Sequence, residues 1–226
     1  MAAAEMFGRG GGLGRGRGGF GRGRGGGGGG GGPSPALLTS YIKKAFTLQA
    51  LFETCSQHCE RFNHIHLSAC WNTLGHLTRA TEQPQEAQAW AQQHSAALHL
   101  LLKRTSKVVS SSSEVRAREL ANIAHGVAKS GVCSGGGEEA VALMGAVAVT
   151  AQPLVVHCNA QELANLAWAF AKAQQQTPAL FNAIADQAML HLKSFKPQEV
   201  SNLVWAYATA RHEAPQLFAS IAAAAA

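Results

Sequence analysis

Residues 160–173 read AQELANLAWAFAKA and residues 197–210 read PQEVSNLVWAYATA. At a shift of 37, Asn165 falls on Asn202, Trp168 on Trp205 and Phe170 on Tyr207. The register continues through the next segment, where Pro178, Phe181 and Ile184 meet Pro215, Phe218 and Ile221. A spacing kept across two segments without a gap marks an internal repeat, and units of this length stack on one another.

The same frame extends upstream. RELANIAHGVAK, Arg118 to Lys129, sets Glu119, Leu120, Ala121 and Asn122 over Glu162, Leu163, Ala164 and Asn165 at a shift of 43, the six extra residues falling in the GVCSGGGE loop. FNHIHLSACWNTLGHL, Phe62 to Leu77, aligns 133 residues before Phe195 to Ala210. Its interval of 53 to the next unit exceeds the period by 16, an excess placed in TRATEQPQE and the serine run Ser110 to Ser113.

Each unit reads as two helices. Val200, Leu203, Val204 and Tyr207 recur at helical spacing, and the column Ala128, Ala171, Ala208 is small enough for backbones to approach closely. A proline or glycine loop follows. The second helix, for example Pro178 to Leu192, opens on proline and gathers Phe181, Ile184, Ala185, Ala188 and Leu192 on one face. One such pair cannot bury its apolar face alone, so neighbouring pairs must supply the core. The expected fold is all-α: an α-solenoid of helix-turn-helix repeats with a period of about 37 residues, its first helices near 64–78, 116–130, 160–174 and 197–211. The expected domain covers 36–226.

Residues 1–35 differ in kind. They hold 18 of the 25 glycines together with Arg9, Arg15, Arg17, Arg22 and Arg24, and almost no large apolar side chains. Of the net charge of +6, this head carries +4 and residues 36–226 only +2. Such a composition predicts disorder. Its guanidinium groups suit phosphate oxygens and base faces, while the glycines let the chain follow an irregular RNA surface. The five arginines are therefore the expected RNA contacts of the tail. An inert glycine tether and an organellar transit peptide are the alternatives, the latter opposed by the absence of serine-rich, amphipathic character.

Five cysteines, an odd number without a cleavable secretory signal, point to free thiols rather than a disulfide framework. Three of them lie in CSQHCERFNHIHLSAC, Cys55 to Cys70, with His64 and His66 between, a spacing that invites zinc. The repeat frame answers otherwise: Cys55 falls on Ala188, Cys59 on Leu192 and Cys70 on Leu203, all apolar columns, so buried thiols are expected and no metal. His66 shares the helix-start column of Glu119, Glu162 and Glu199, and His64 is placed in the loop between helices. The longest apolar run, Val141 to Ala151, falls short of a bilayer span and reads as a core helix, with no membrane partner. There is no nucleophile elbow, P-loop or HExxH motif, and the acids are scattered. Neither an enzyme nor a cofactor is expected.

RFNHIHLSACWNTLGHL, and the two copies of QE-[LV]-[AS]-NL-x-WA-[FY]-A-x-A followed by P-x-LF-x-x-IA, resemble the octotricopeptide and FAST-kinase-like (RAP-associated) helical repeats. That family is abundant in green algae and related organisms. The resemblance covers most of residues 41–226 and is strongest over 159–222. It implies an RNA-binding solenoid of the chloroplast stroma or mitochondrial matrix that matures, stabilises or helps translate an organellar transcript or rRNA, alongside other ribonucleoprotein components. Many members end in a RAP domain, which is not found here, and the chain stops at Ala226 inside a second helix, so a fragment is expected.

Helical-repeat RNA binders read bases with a few side chains per repeat. The column His125, Trp168, Trp205, shared with Asn72, either stacks bases or packs neighbouring repeats. Lys129 and Lys172, with His76 and Thr209 in their column, stand one turn further on, where a cation meets phosphate. The near-constant Asn122, Asn165, Asn202 column is expected to make structural hydrogen bonds. A protein-interaction scaffold of armadillo or HEAT type, carrying an independent RGG tail, is the alternative function.

Overall fold

The computed structural model describes residues 32–78, 84–133 and 137–225. The head arginines Arg9, Arg15, Arg17, Arg22 and Arg24, and the expectation of disorder around them, lie outside these residues. Contacts divide the chain into Met1–Gly32 and Pro33–Ala226. The second unit holds every helix among the described residues: α1 Pro35–Lys43, α2 Leu48–His58, α3 His64–Leu77, α4 Pro84–Gln93, α5 Ser95–Ser111, α6 Ala117–Ser130, α7 Glu138–Ala151, α8 Ala160–Lys172, α9 Pro178–Leu190, α10 Pro197–Ala210 and α11 Pro215–Ala225. Among the described residues there is no strand.

The starts of α3, α6, α8 and α10 share one local device. The N–H groups of a first turn have no intrahelical partner, so a side chain three residues on can reach back to the cap. Glu119, Glu162 and Glu199 accept from the backbone N–H of Arg116, Asn159 and Lys196 at 3.3, 3.0 and 2.8 Å. In α3 the histidine does the same job: Asn63 N–H donates to His66 Nδ1 at 3.1 Å. The other ring nitrogen, Nε2, lies 2.9 Å from the Pro35 carbonyl, so the neutral ring carries its proton there and ties α1 to α3. Asn63 and Asn159 complete the reciprocal bond, their side-chain oxygens accepting from His66 N–H and Glu162 N–H. His64, read from sequence as a loop residue, is instead the first residue of α3, because Asn63 caps ahead of it.

Helix ends repeat as well. Gly131, Gln174 and Arg211 occupy one column and all adopt left-handed backbone, with φ of 77°, 54° and 52°. After α8 and α10 the next residue closes the turn: Gln175 N–H donates to Phe170 O at 2.9 Å and His212 N–H to Tyr207 O at 3.0 Å, which satisfies carbonyls that would otherwise be orphaned. Only one of the three positions is glycine.

The helices form two rows. α1, α3, α6, α8 and α10 pack side by side in that order, and α2, α5, α7, α9 and α11 form the second row. Between the rows lies a continuous apolar layer that includes Phe62, Leu101, Leu120, Phe170, Phe181 and Tyr207. Burying side chains of this size stabilises by roughly 1.5–3 kcal/mol each. Two large polar side chains in it are paired: Tyr207 Oη donates to Phe181 O at 2.6 Å, and Trp71 Nε1 to Thr105 Oγ1 at 2.9 Å.

In the front row α3 and α6 approach each other closely at two glycines. A methyl group at Gly126 would collide with the Trp71 carbonyl, and one at Gly75 would lie 3.3 Å from Gly126 Cα. Gly75 belongs to the small column of Ala128, Ala171 and Ala208.

Two features depart from the sequence reading. Pro84, Gln85 and Glu86, assigned to the long insertion, open the extra helix α4, which packs on α5. The apolar run also extends further than Val141–Ala151. With the 3-10 turn that follows it, α7 makes 20 residues, Glu138–His157, of mean hydropathy 1.7, long and apolar enough to cross a bilayer. In this fold one side of it, including Leu143, Met144, Val147 and Val155, is buried against α5, α6 and α9.

Candidate nucleic-acid interface

Side chains spaced three and seven residues apart share a helix face. Three front-row helices therefore carry the same order along one face: Asn122, His125, Lys129 on α6; Asn165, Trp168, Lys172 on α8; Asn202, Trp205, Thr209 on α10. In α3 the corresponding residues are Ala69, Asn72 and His76.

The structure brings the ring column together. His125 and Trp168 have centroids 5.0 Å apart at 41°, and Trp168 and Trp205 6.1 Å apart at 31°. These separations are already those of direct aromatic contact, roughly 4.5–7 Å. A base inserted between two rings needs about twice the 3.4 Å stacking repeat, so none enters between them without parting the helices. The column is thus an inter-helix packing device, and only Trp205, 38% exposed, offers substantial ring surface to solvent.

Burial lowers the His125 pKa to about 4, with smaller contributions from the Lys129 and His76 charges. The imidazole is neutral at physiological pH and contributes a flat ring to the column, not a cation. Lys129 is half-buried beside it, whereas Lys172 is exposed on α8. Of the five repeat residues singled out from sequence, His125, Trp168 and Trp205 touch in sequence order across helices, and the two lysines stand one turn along the same face.

The asparagine column differs from its expected role. Asn122, Asn165 and Asn202 are all half-buried, yet among the described residues their side chains hydrogen-bond no protein group. Nor are their amides sealed from solvent. Their three-residue spacing from the ring column was legible in the sequence and is the signal that places them on this face.

The cysteine-histidine stretch offers no competing site. Cys55, Cys59, Cys70 and Cys158 are buried free thiols and Cys133 is partly so. Burial pushes Cys59 up to about 12, Cys158 to about 12 and Cys133 to about 11, and burial followed by the neighbouring Cys55 raises Cys70 well above the ordinary thiol range. Thiols held protonated are poor nucleophiles and poor ligands. Among the described residues, no group of three or more His, Cys, Asp or Glu side chains could hold a metal ion. A small cleft near the start of α3 gathers His64, Arg104, Lys107 and Glu114. Its Arg104 is already engaged, donating from Nε and Nη2 to Phe62 O at 2.9 and 2.8 Å.

The chain matches no protein-family model and no curated protein.

Proposed function

We propose that the protein is an RNA-binding α-solenoid: helix-turn-helix units of about 37 residues stack into the two rows, and the front row presents its amide, ring and cation columns to single-stranded RNA. The observation that carries this reading is the order Asn–ring–Lys repeated on the same face of neighbouring helices α6 and α8. The Gly/Arg head supplies the salt-dependent part of the affinity, because Arg9, Arg15, Arg17, Arg22 and Arg24 hold most of the net charge. Resemblance to octotricopeptide and FAST-kinase-like repeats supports a place in chloroplast or mitochondrial RNA processing, stability or translation, with an organellar transcript or rRNA and other ribonucleoprotein components as partners. No catalytic step is assigned to it.

A labelled single-stranded RNA titrated with the full chain at about 50 mM salt tests this reading. Binding is expected. Replacing all five head arginines by alanine should reduce the slope of log K against log salt while leaving a weaker, less salt-dependent component. Absence of any shift at low salt overturns the reading. The near-neutral repeat region, +2 over residues 36–226, favours a second one in that event: an armadillo- or HEAT-like scaffold whose front face holds a protein partner, with the RGG tail acting independently.

A further inference from the structure

We propose that Asn122, Asn165 and Asn202 form an amide rail that holds the ribose–phosphate backbone of single-stranded RNA, the side-chain oxygen accepting from a 2′-hydroxyl and the NH2 group donating to a backbone oxygen. This deepens the RNA-binding reading and rests on it.

Each asparagine amide has two donors and an acceptor oxygen with two lone pairs. Buried polar groups are paired with protein or ordered water, and an amide open to solvent with no protein partner is left to water or a ligand. Here three equivalent amides on consecutive front-row helices find none among the described residues, although each is half-buried beside a packed ring column. The rail therefore presents a full set of unused donors and acceptors, repeated at the spacing of packed helices, roughly 8–10 Å.

A side chain that reads bases differs between repeats when the target sequence differs, whereas one that meets a recurring group stays the same. The sugar–phosphate unit is what recurs along RNA, and its 2′-hydroxyl is both donor and acceptor. Asparagine can serve both atoms at once. The neighbouring rings leave this role to the amides: at 5.0 and 6.1 Å they are in mutual contact and admit no base between them. Lys172, exposed one turn past Trp168, stands where the phosphate of a backbone lying on the rail would pass. In α3 the rail stops, because Ala69 takes the column and the amide moves to Asn72.

The test compares the full chain with its Asn165→Ala/Asn202→Ala variant on a U-only RNA oligonucleotide and on the deoxyuridine oligonucleotide of equal length. Wild type is expected to bind the RNA about tenfold more tightly than the DNA, as one to two hydrogen bonds would give. The variant should lose about tenfold on RNA and less on DNA, which keeps the backbone oxygen but lacks the 2′-hydroxyl, so that the RNA preference shrinks, with an unchanged melting temperature and an unchanged salt slope, since no charge is altered. Asn165→Asp/Asn202→Asp, which keeps the shape but removes the donors and adds charge, should weaken both ligands further. Equal wild-type affinity for RNA and DNA, or a variant that still prefers RNA by the wild-type ratio, overturns the rail and leaves the RNA-binding reading in place. If neither oligonucleotide binds at low salt, both fall, and the amide column is left to an extended peptide.

Discussion

Trp71 in α3 and Trp205 in α10 stand one column apart in the repeat, and the two make opposite use of the same side chain. One residue along an α-helix turns the side chain by about 100°. Trp71 points between the rows, is fully buried, and donates its indole N–H to Thr105 of α5. Trp205 lies on the open face, 38% exposed, against Trp168. The inward tryptophan leaves room for little else, and α6 comes close to α3 only because Gly126 has no Cβ to meet the Trp71 backbone. Along the outward column the corresponding residue of α6 is a histidine and that of α3 an asparagine, which has no ring, so aromatic surface fades toward the N-terminal end of the front row.

The largest way to break this contrast is to truncate both rings. Trp71→Ala should cost about 3–5 kcal/mol, the usual penalty for emptying an aromatic site in a core. Trp205→Ala should cost under about 1 kcal/mol. Urea denaturation midpoints measure both, and equal losses would mean that the two columns do not divide core from surface.

Gly126→Ala tests the α3–α6 approach itself. Adding a methyl group where the Trp71 carbonyl lies should destabilise by about 1–3 kcal/mol, because helix backbones must part to admit it. The control is Gly145→Ala in α7, where nothing lies within 4 Å of the new methyl group. There the helix gains about 0.8–1 kcal/mol from the better helix former.

His125 at the ring column sharpens the comparison through pH. Its folded pKa of about 4 lies below the ordinary 6.5, so the unfolded chain takes up a proton more readily than the folded one. Stability should therefore fall as pH drops from about 6.5 to about 4, by about 2 kcal/mol from this group. The difference between wild type and His125→Gln, followed by thermal melts across that range, isolates it. A pH-independent difference would mean that the imidazole is not desolvated among the rings.

The smallest effect is expected at the helix ends. Arg211 and Gln174 hold left-handed backbone that L-residues other than glycine resist, and both side chains are exposed. Arg211→Gly and Gln174→Gly should each stabilise by about 0.5–1 kcal/mol, net of glycine's greater unfolded-state freedom. Thermal melting detects this, and a loss would show that the side chains contribute more than the backbone strain removes.

The helical class was legible because its determinants are local. Glu119, Glu162 and Glu199 recur at helix starts, and the apolar period of the segments Val200–Tyr207 and Phe181–Ala188 is that of a helix packed on one side. The insertion was harder to read. PQE at 84–86 has turn composition, yet it opens α4, whose Trp90 is buried near Phe52 of α2. His66 shows a similar limit: its column marked a polar helix start, but nothing local reveals that Nε2 faces the Pro35 carbonyl, 31 positions earlier in the chain.

For the candidate site, sequence comparison placed Asn, ring and Lys in register on neighbouring helices, since a repeat converts one-dimensional spacing into shared helix faces. Whether those groups touch, stay open or pair with the protein is decided by how neighbouring helices pack. That packing closed the His125–Trp168–Trp205 column against intercalation, and left the amides of Asn122, Asn165 and Asn202 without a hydrogen-bond partner among the described residues. By itself the sequence determined where helices start, where they end and which columns repeat, because caps and periodicity act within a few residues. Only the tertiary structure decided which tryptophan is core and which is surface, because a rotation of one residue about the helix acquires meaning when another helix lies against it.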